Sequence, residues 1–204
     1  MLPNPSPKAI AAFDFDGTLT HKDSVVAFLK WKSGTASFYK KLLERPQYLI
    51  GMIAARSRGE SKLAMINWVL GETVEASFQE SVRAFFEAHK SSLLRPDALR
   101  AWEEHGKLGH ERVIVTGAME KLVQPFAEYL GADRLIGTRI GFDAVNRRLL
   151  SESPNCIREQ KVIRLRQVYG DDVQLMAAYG DTKGDFDMLK IAQQPHYRVF
   201  KERP

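Results

Sequence analysis

The sequence predicts an α/β fold: a parallel sheet core interrupted by one all-helical insert. Three observations lead there. From residue 96 onward strand-like and helix-like segments alternate, the pattern of a parallel sheet with right-handed crossovers. Residues 23–95 carry almost no strand signal and several amphipathic helical stripes. Three short apolar runs each stop at a polar, glycine-containing motif, as buried strands do when they end at a ligand site.

Taken in order, Lys8 to Phe15 reads as a buried strand because Ile10, Ala11, Ala12 and Phe13 are apolar without alternation, and Asp16-Gly17 supplies a turn. In the insert, Val25, Val26, Phe28, Leu29 and Trp31 mark one helix. Phe38, Leu42 and Leu43 mark a second, and Pro46 enforces a break. Leu63, Ile66, Trp68, Val69 and Leu70 mark a third helix up to Gly71, and Phe78, Val82, Phe85 and Phe86 a fourth. Pro96 to Glu104 is then helical, and Arg112 to Val115 is a β-branched strand ending at Thr116-Gly117. Glu120 to Leu130 is a helix closed by Gly131. Leu135 to Gly137, Arg139 to Gly141 and Arg148 to Leu150 are short strands, and Gln160 to Val168 is a helix ended near Gly170. Leu175 to Tyr179 is a strand stopping at Gly180-Asp181, Asp185 to Ile191 a helix, and Tyr197 to Phe200 a last strand. The expected organisation is a core of residues 1–21 and 96–204 with an insert of residues 22–95.

The 204 residues suffice for one such core. A hydrophobic content of 44% with 27% charged residues is that of a globular protein. The single cysteine, Cys156, excludes an internal disulfide and a cysteine-based metal site. The first residues lack signal-peptide character and no apolar run reaches membrane-span length, so a cytoplasmic protein is expected. The net charge of +5 suits anionic substrates or surfaces. No helix-turn-helix, zinc or RNA-binding motif accompanies it, so nucleic acid is not an expected partner.

The three strand-end motifs are Asp14-Phe15-Asp16-Gly17-Thr18, Thr116-Gly117-Ala118 and Gly180-Asp181-Thr182-Lys183-Gly184-Asp185. If their strands are neighbours, the motifs converge on one place. Together with Lys161 they resemble the haloacid dehalogenase superfamily. Asp14 to Thr20 is similar to its first motif, Thr116 to its second, Lys161 to its third, and Asp181 with Asp185 to its fourth. The resemblance covers essentially the whole chain and is nearest to the phosphoserine-phosphatase-like branch (subfamily IB). Cys156 to Leu165 is similar to the corresponding region of members that act on phosphatidylglycerophosphate. It implies a Rossmann-like core, a helical type-1 cap over 22–95, and hydrolysis of phosphate monoesters.

The resemblance also implies roles. Asp14 is the expected nucleophile and Asp16 the expected acid and base. Lys161 stabilises charge on the transferring group, and Thr116 with the backbone near Phe15, Gly17, Thr18 and Gly117 holds the phosphoryl oxygens. Mg²⁺ is the implied cofactor, ligated by Asp14, the Asp16 carbonyl and Asp181, with Asp185 nearby. The physical need is plain. Two unit charges about 4 Å apart repel by roughly 4 kcal/mol at an effective dielectric of 20. Four aspartates around a phosphate therefore require cations, and a hard divalent ion prefers oxygen ligands. Lys183 and Arg158 compete with Lys161 for the third-motif position.

The resemblance also implies that the insert sets substrate choice, which makes it the least readable region. Asp23 is a candidate contact to a substrate amine, with a helix N-cap as its alternative role. Lys22, Lys30, Lys32, Lys40, Lys41, Arg45, Arg56, Arg58 and Lys62 make the insert basic. Arg56 or Arg58 is a candidate for a substrate carboxylate or second phosphate. Tyr48 to Ile53 is a candidate for peripheral contact with an anionic membrane. Expected substrates are a small phosphorylated metabolite, such as a phosphoserine-like one, or a lipid phosphate. A phosphotransferase or phosphomutase on the same intermediate, and a non-enzymatic basic binding module, stay open as alternatives.

Overall fold

The computed structural model describes residues 8–45 and 59–204. Pro46, the Tyr48 to Ile53 stretch and Arg56 and Arg58 lie outside the described residues. The core is a five-stranded, wholly parallel sheet in the order β3-β2-β1-β6-β7. Its strands are β1 (Ile10–Phe13), β2 (Glu111–Met119), β3 (Arg134–Thr138), β6 (Leu175–Gly180) and β7 (Ala192–Tyr197). β1 lies at the centre with both edges paired, which is why it tolerates no polar residue until Asp14. A separate antiparallel hairpin joins β4 (Ile140–Asp143) to β5 (Arg148–Ser151).

Among the described residues, the insert carries the helices α1 (Ser24–Ser33), α2 (Thr35–Glu44), α3 (Gly59–Leu70) and α4 (Glu75–Leu93). The core helices follow as α5 (Pro96–Lys107), α6 (Glu120–Tyr129), α7 (Glu159–Tyr169) and α8 (Phe186–Lys190). α5 opens with Pro96, whose fixed φ suits a first helical turn.

One sheet face packs the larger hydrophobic cluster, and that cluster is shared with the insert. Phe15, Phe85 and Phe86 surround Phe126 of α6 with ring centroids 5.5, 6.2 and 5.0 Å away. Phe78 of α4 meets Phe142 of β4 at 5.5 Å. The other face packs Ala12, Val113, Val115, Leu165 and Met188.

Two sequence expectations need correction. β2 does not stop at Thr116-Gly117. It continues to Met119, which pairs with Thr138 after an irregularity beyond Val115. The last strand is Ala192–Tyr197 rather than Tyr197 to Phe200. β7 is an exposed edge containing Gln193, Gln194 and Pro195. Edge strands need no apolar pattern and accommodate proline, so nothing apolar marked it.

Candidate active site

Parallel pairing fixes where the three motifs go. Phe13 is in register with Ile114 on one side and Tyr179 on the other. Asp14 and Asp181 therefore follow the carboxyl ends of β1 and β6, with Thr116 at the irregularity in β2, within two residues of one another in register. Asp14 N–H donates to Tyr179 O at 2.9 Å, carrying the ladder one residue past the strand.

After Asp14 the chain turns sharply. Asp16 (φ −72°, ψ 118°) and Gly17 (φ 85°, ψ −16°) have type II turn geometry, which favours glycine at the second position. A side chain at Gly17 would also collide with the Asp181 carboxylate. Asp16 Oδ1 accepts the N–H of Ser24 at 2.8 Å, which orients the carboxyl against the start of α1. Asp23 caps the same helix by accepting Val26 N–H at 2.8 Å, and it also faces the cavity.

Lys161 enters from α7 and is 1% exposed. Its ammonium donates to Asp14 Oδ1, Asp185 Oδ1 and Val115 O, each at 2.6 Å. Asp185 organises the fourth motif. Its Oδ2 accepts from Thr182 N–H at 2.9 Å, Thr182 Oγ1 at 3.0 Å and Asp181 N–H at 3.2 Å. The other cations weighed for this place, Lys183 and Arg158, line the cavity but are exposed.

The electrostatics follow from burial and count. Burial opposes the charge on Lys161, but Asp14 and Asp185 outweigh it and hold the amine well above its ordinary value. Burial also opposes the charge on Asp185, and Lys161 with the Thr182 donors outweighs it, keeping this carboxyl below its ordinary value. At Asp14 burial prevails. Lys161 counteracts it, Asp185 and Asp16 add repulsion, and the carboxyl is pushed well above the ordinary range. The cluster thus has too little positive charge to ionise Asp14 comfortably.

A metal ion fits that shortage. One carboxylate oxygen from each of Asp14, Asp181 and Asp185 lies within 4.8 Å of the others. Three carboxylate oxygens gathered this closely could share one small divalent cation. The donors are all hard oxygens, which suit Mg²⁺ better than a thiophilic metal.

The surrounding cavity has a volume of about 660 Å³ and is lined by Asp14, Asp16, Gly17, Asp23, Thr116, Gly117, Lys161, Asp181 and Asp185 among others. Thr116 is fully buried, and its Oγ1 accepts Ala118 N–H at 3.0 Å. Two residues of the expected phosphate-binding set do not line the cavity. The Phe15 ring is committed to the core against Phe126, and Thr18 is buried within the turn. Only their backbone is left for that role. Arg198 was not expected from sequence. It lines the cavity, sits at φ 57°, and donates through Nε to Asp181 O at 2.6 Å. It follows an edge strand with no apolar pattern, so no sequence signal pointed to it.

A parallel sheet whose central strand ends in an acidic turn, beside a buried lysine and with a helical insert, is the architecture of a haloacid dehalogenase-type hydrolase. The chain belongs to the haloacid dehalogenase-like hydrolase family, which it matches over residues 11–190. It is 46% identical over 196 residues to Protein CicA of Caulobacter vibrioides, covering 96% of this chain and 88% of that one. It is 25% identical to the inhibition of morphological differentiation protein of Streptomyces azureus, over 93% and 71% of the two chains. Among solved structures, a protein of unknown function from Bordetella pertussis superposes with a TM-score of 0.72 at 20% identity, over 91% of this chain and 87% of that one. A substrate-bound phosphoserine phosphatase complex superposes with a TM-score of 0.60 at 16% identity, over 92% and 84%. These structures share the fold.

Proposed function

We propose that this protein is a Mg²⁺-dependent phosphatase that hydrolyses phosphate monoesters through an aspartyl-phosphate on Asp14. The observation that carries the reading is Lys161, buried and hydrogen-bonded to both Asp14 and Asp185, with Asp181 in metal-sharing distance. The fold likeness to a phosphoserine phosphatase solved as a phospho-aspartyl intermediate analogue supports it.

In this reading the Asp14 carboxylate attacks phosphorus as the ester P–O bond breaks, and Asp16 gives its proton to the departing alkoxide. Water then attacks the aspartyl-phosphate, Asp16 takes a proton from it, and phosphate leaves with Asp14 restored. Lys161 and the Thr116 hydroxyl neutralise and hold the phosphoryl oxygens, joined by the backbone at Phe15, Gly17, Thr18 and Gly117. Asp14, Asp181 and Asp185, with the Asp16 carbonyl, would hold Mg²⁺, which supplies positive charge to the phosphoryl group. Residues 22–95 act as the cap that selects the leaving group. Its alcohol is that of a small metabolite, phosphoserine-like, or of a lipid phosphate, and Asp23 is placed to meet a cationic group on it.

The test is phosphate release from a generic aryl phosphate with and without Mg²⁺, followed by a panel of phosphorylated metabolites and short-chain lipid phosphates. Activity that survives both chelation and Asp14→Asn would overturn the mechanism.

A further inference from the structure

A second chamber opens off the phosphate cavity. It has a volume of about 720 Å³ and shares Gly117, Asn155, Ile157 and Arg158 with the first. One wall is the insert helix α3, through Leu63 and Ile66. Another part of the lining is the β4–β5 hairpin, through Ile140, Ser151 and the residue after it, Glu152. The placement of α3 relative to the hairpin therefore shapes the chamber.

One side chain joins the two directly. The Asn67 amide pairs with Leu149 as a neighbouring strand would. Asn67 Nδ2 donates to Leu149 O and Leu149 N–H donates to Asn67 Oδ1, both at 2.9 Å. Leu149 is 1% exposed and lies in the same core cluster as Ile140 and Ile66. Its backbone groups are hidden from water, so breaking the pair strands a donor and an acceptor. Just beyond the end of α3, Thr73 N–H donates to Arg147 O at 2.6 Å, on the turn of the same hairpin. The contact is thus a clasp between the helix and the hairpin rather than an isolated bond.

We propose that Asn67 is a specificity-positioning residue: by clasping the hairpin to α3 it fixes a chamber that receives the part of the leaving group lying beyond the phosphate. This rests on the phosphatase reading above. Leu63, Ile66 and Ile140 form an aliphatic strip in a chamber otherwise lined by polar side chains such as Ser153, Glu159 and Gln160, so a leaving group that reaches the strip gains from each buried methylene, about fourfold in kcat/KM per fully buried group. Asn67 touches no reacting atom and acts only through the spacing.

The experiment compares ethyl phosphate with octyl phosphate, using an aryl phosphate as reference, in the wild type and in Asn67→Leu. Amide hydrogen exchange at Leu149 is read in parallel. The expected result is a tenfold or greater preference for octyl over ethyl phosphate in the wild type. Asn67→Leu should lose that preference, exchange Leu149 faster, and keep its kcat/KM on ethyl phosphate within about threefold. A lost Leu149 protection with the preference intact would overturn the role of Asn67. A wild type that hydrolyses the aryl phosphate without any length preference would overturn the chamber as a subsite and leave the phosphatase reading standing. Inactivity on all three esters would count against the phosphatase reading itself. If Asn67→Leu does not fold, Ser151→Trp obstructs the same chamber from the exposed strand β5. It should depress octyl phosphate turnover selectively, and equal effects on both esters would overturn the proposal.

Discussion

Replacing Asp14 and replacing Lys161 remove opposite charges from one buried cluster, and the two changes have opposite expected effects on stability. Asp14 is a carboxyl whose ionisation burial opposes, so Asp14→Asn removes a cost as well as the proposed nucleophile. Phosphate release should fall on the order of a thousandfold or more, with a metal-free melting temperature unchanged or raised. Lys161→Met leaves Asp14 and Asp185 buried without their shared cation, a change that typically costs about 3–5 kcal/mol. Its melting temperature should drop clearly in a thermal scan, and a drop no larger than that of Asp14→Asn would contradict the charge balance described. A second residue-scale expectation concerns His105, which is remote from the carboxylates. It is buried against Tyr179, with Nε2 3.0 Å from the phenol oxygen and Nδ1 2.8 Å from His110 Nδ1. Burial first, then repulsion from His110 and His196, holds its pKa below the ordinary value. The unfolded chain thus binds a proton that the folded chain resists. The stability from this group is present above pH ~6.5 and is lost as pH falls below it. One such proton contributes a slope of at most ~1.4 kcal/mol per pH unit. Denaturant titrations at pH 7 and pH 5 should show a smaller loss for His105→Gln than for the wild type.

At the scale of elements, legibility in the sequence followed burial. β1, β2 and β6 are apolar through their centres because both faces are covered; β1 and β6 end, and the β2 pairing turns irregular, where the apolar run meets a polar motif, so their existence and the meeting of Asp14, Thr116 and Asp181 were readable. β7 was misplaced because an exposed edge imposes no pattern on Gln193, Gln194 and Pro195. Lys161 was readable only by its order among the motifs, since nothing in a helix sequence says which lysine is buried. Arg198 and Asn67 were invisible, because each acts through a backbone group of a distant segment, Asp181 O and Leu149. The turn at Gly17 belongs to the readable part and carries a prediction. Its φ of 85° and the nearness of Asp181 both exclude a side chain. Gly17→Ala combines backbone strain of about 1 kcal/mol or more with displacement of the Asp181 carboxylate. Under the proposed mechanism, the Mg²⁺ concentration needed for half-maximal phosphate release should rise alongside the stability loss. An alanine variant with wild-type metal response would show that Asp181 does not need its observed position.

For the molecule as a whole, the question is whether the insert and the sheet behave as two units or one. The buried cluster gives a physical answer. It runs without interruption from Phe13 and Phe15 of the core through Phe126 to Phe85, Phe28 and Phe78 of the insert. Aromatic residues bury large areas and contribute most of the apolar stabilisation where they cluster. A separate insert would have to expose Phe85 and Phe86 on one side and Phe126 on the other, and each is worth about 3–5 kcal/mol when truncated to alanine. The Asn67 clasp and the Thr73 bond to the hairpin add polar connections at the far end. Insert and core are therefore expected to unfold together, in one cooperative transition. The three tryptophans allow this to be checked, because Trp31 and Trp68 belong to insert helices and Trp102 to α5 of the core. In a Trp102→Phe variant the remaining fluorescence reports the insert. In a Trp31→Phe, Trp68→Phe variant it reports the core, where Trp102 Nε1 donates to Leu130 O at 2.9 Å. Within each variant the fluorescence midpoint should coincide with that of far-ultraviolet circular dichroism, and Phe126→Ala should lower both probes together. An insert signal that melts first, ahead of the dichroism of the sheet, would mean that the shared aromatic cluster does not couple the two. The insert would then be free to move over the active site without unfolding the core.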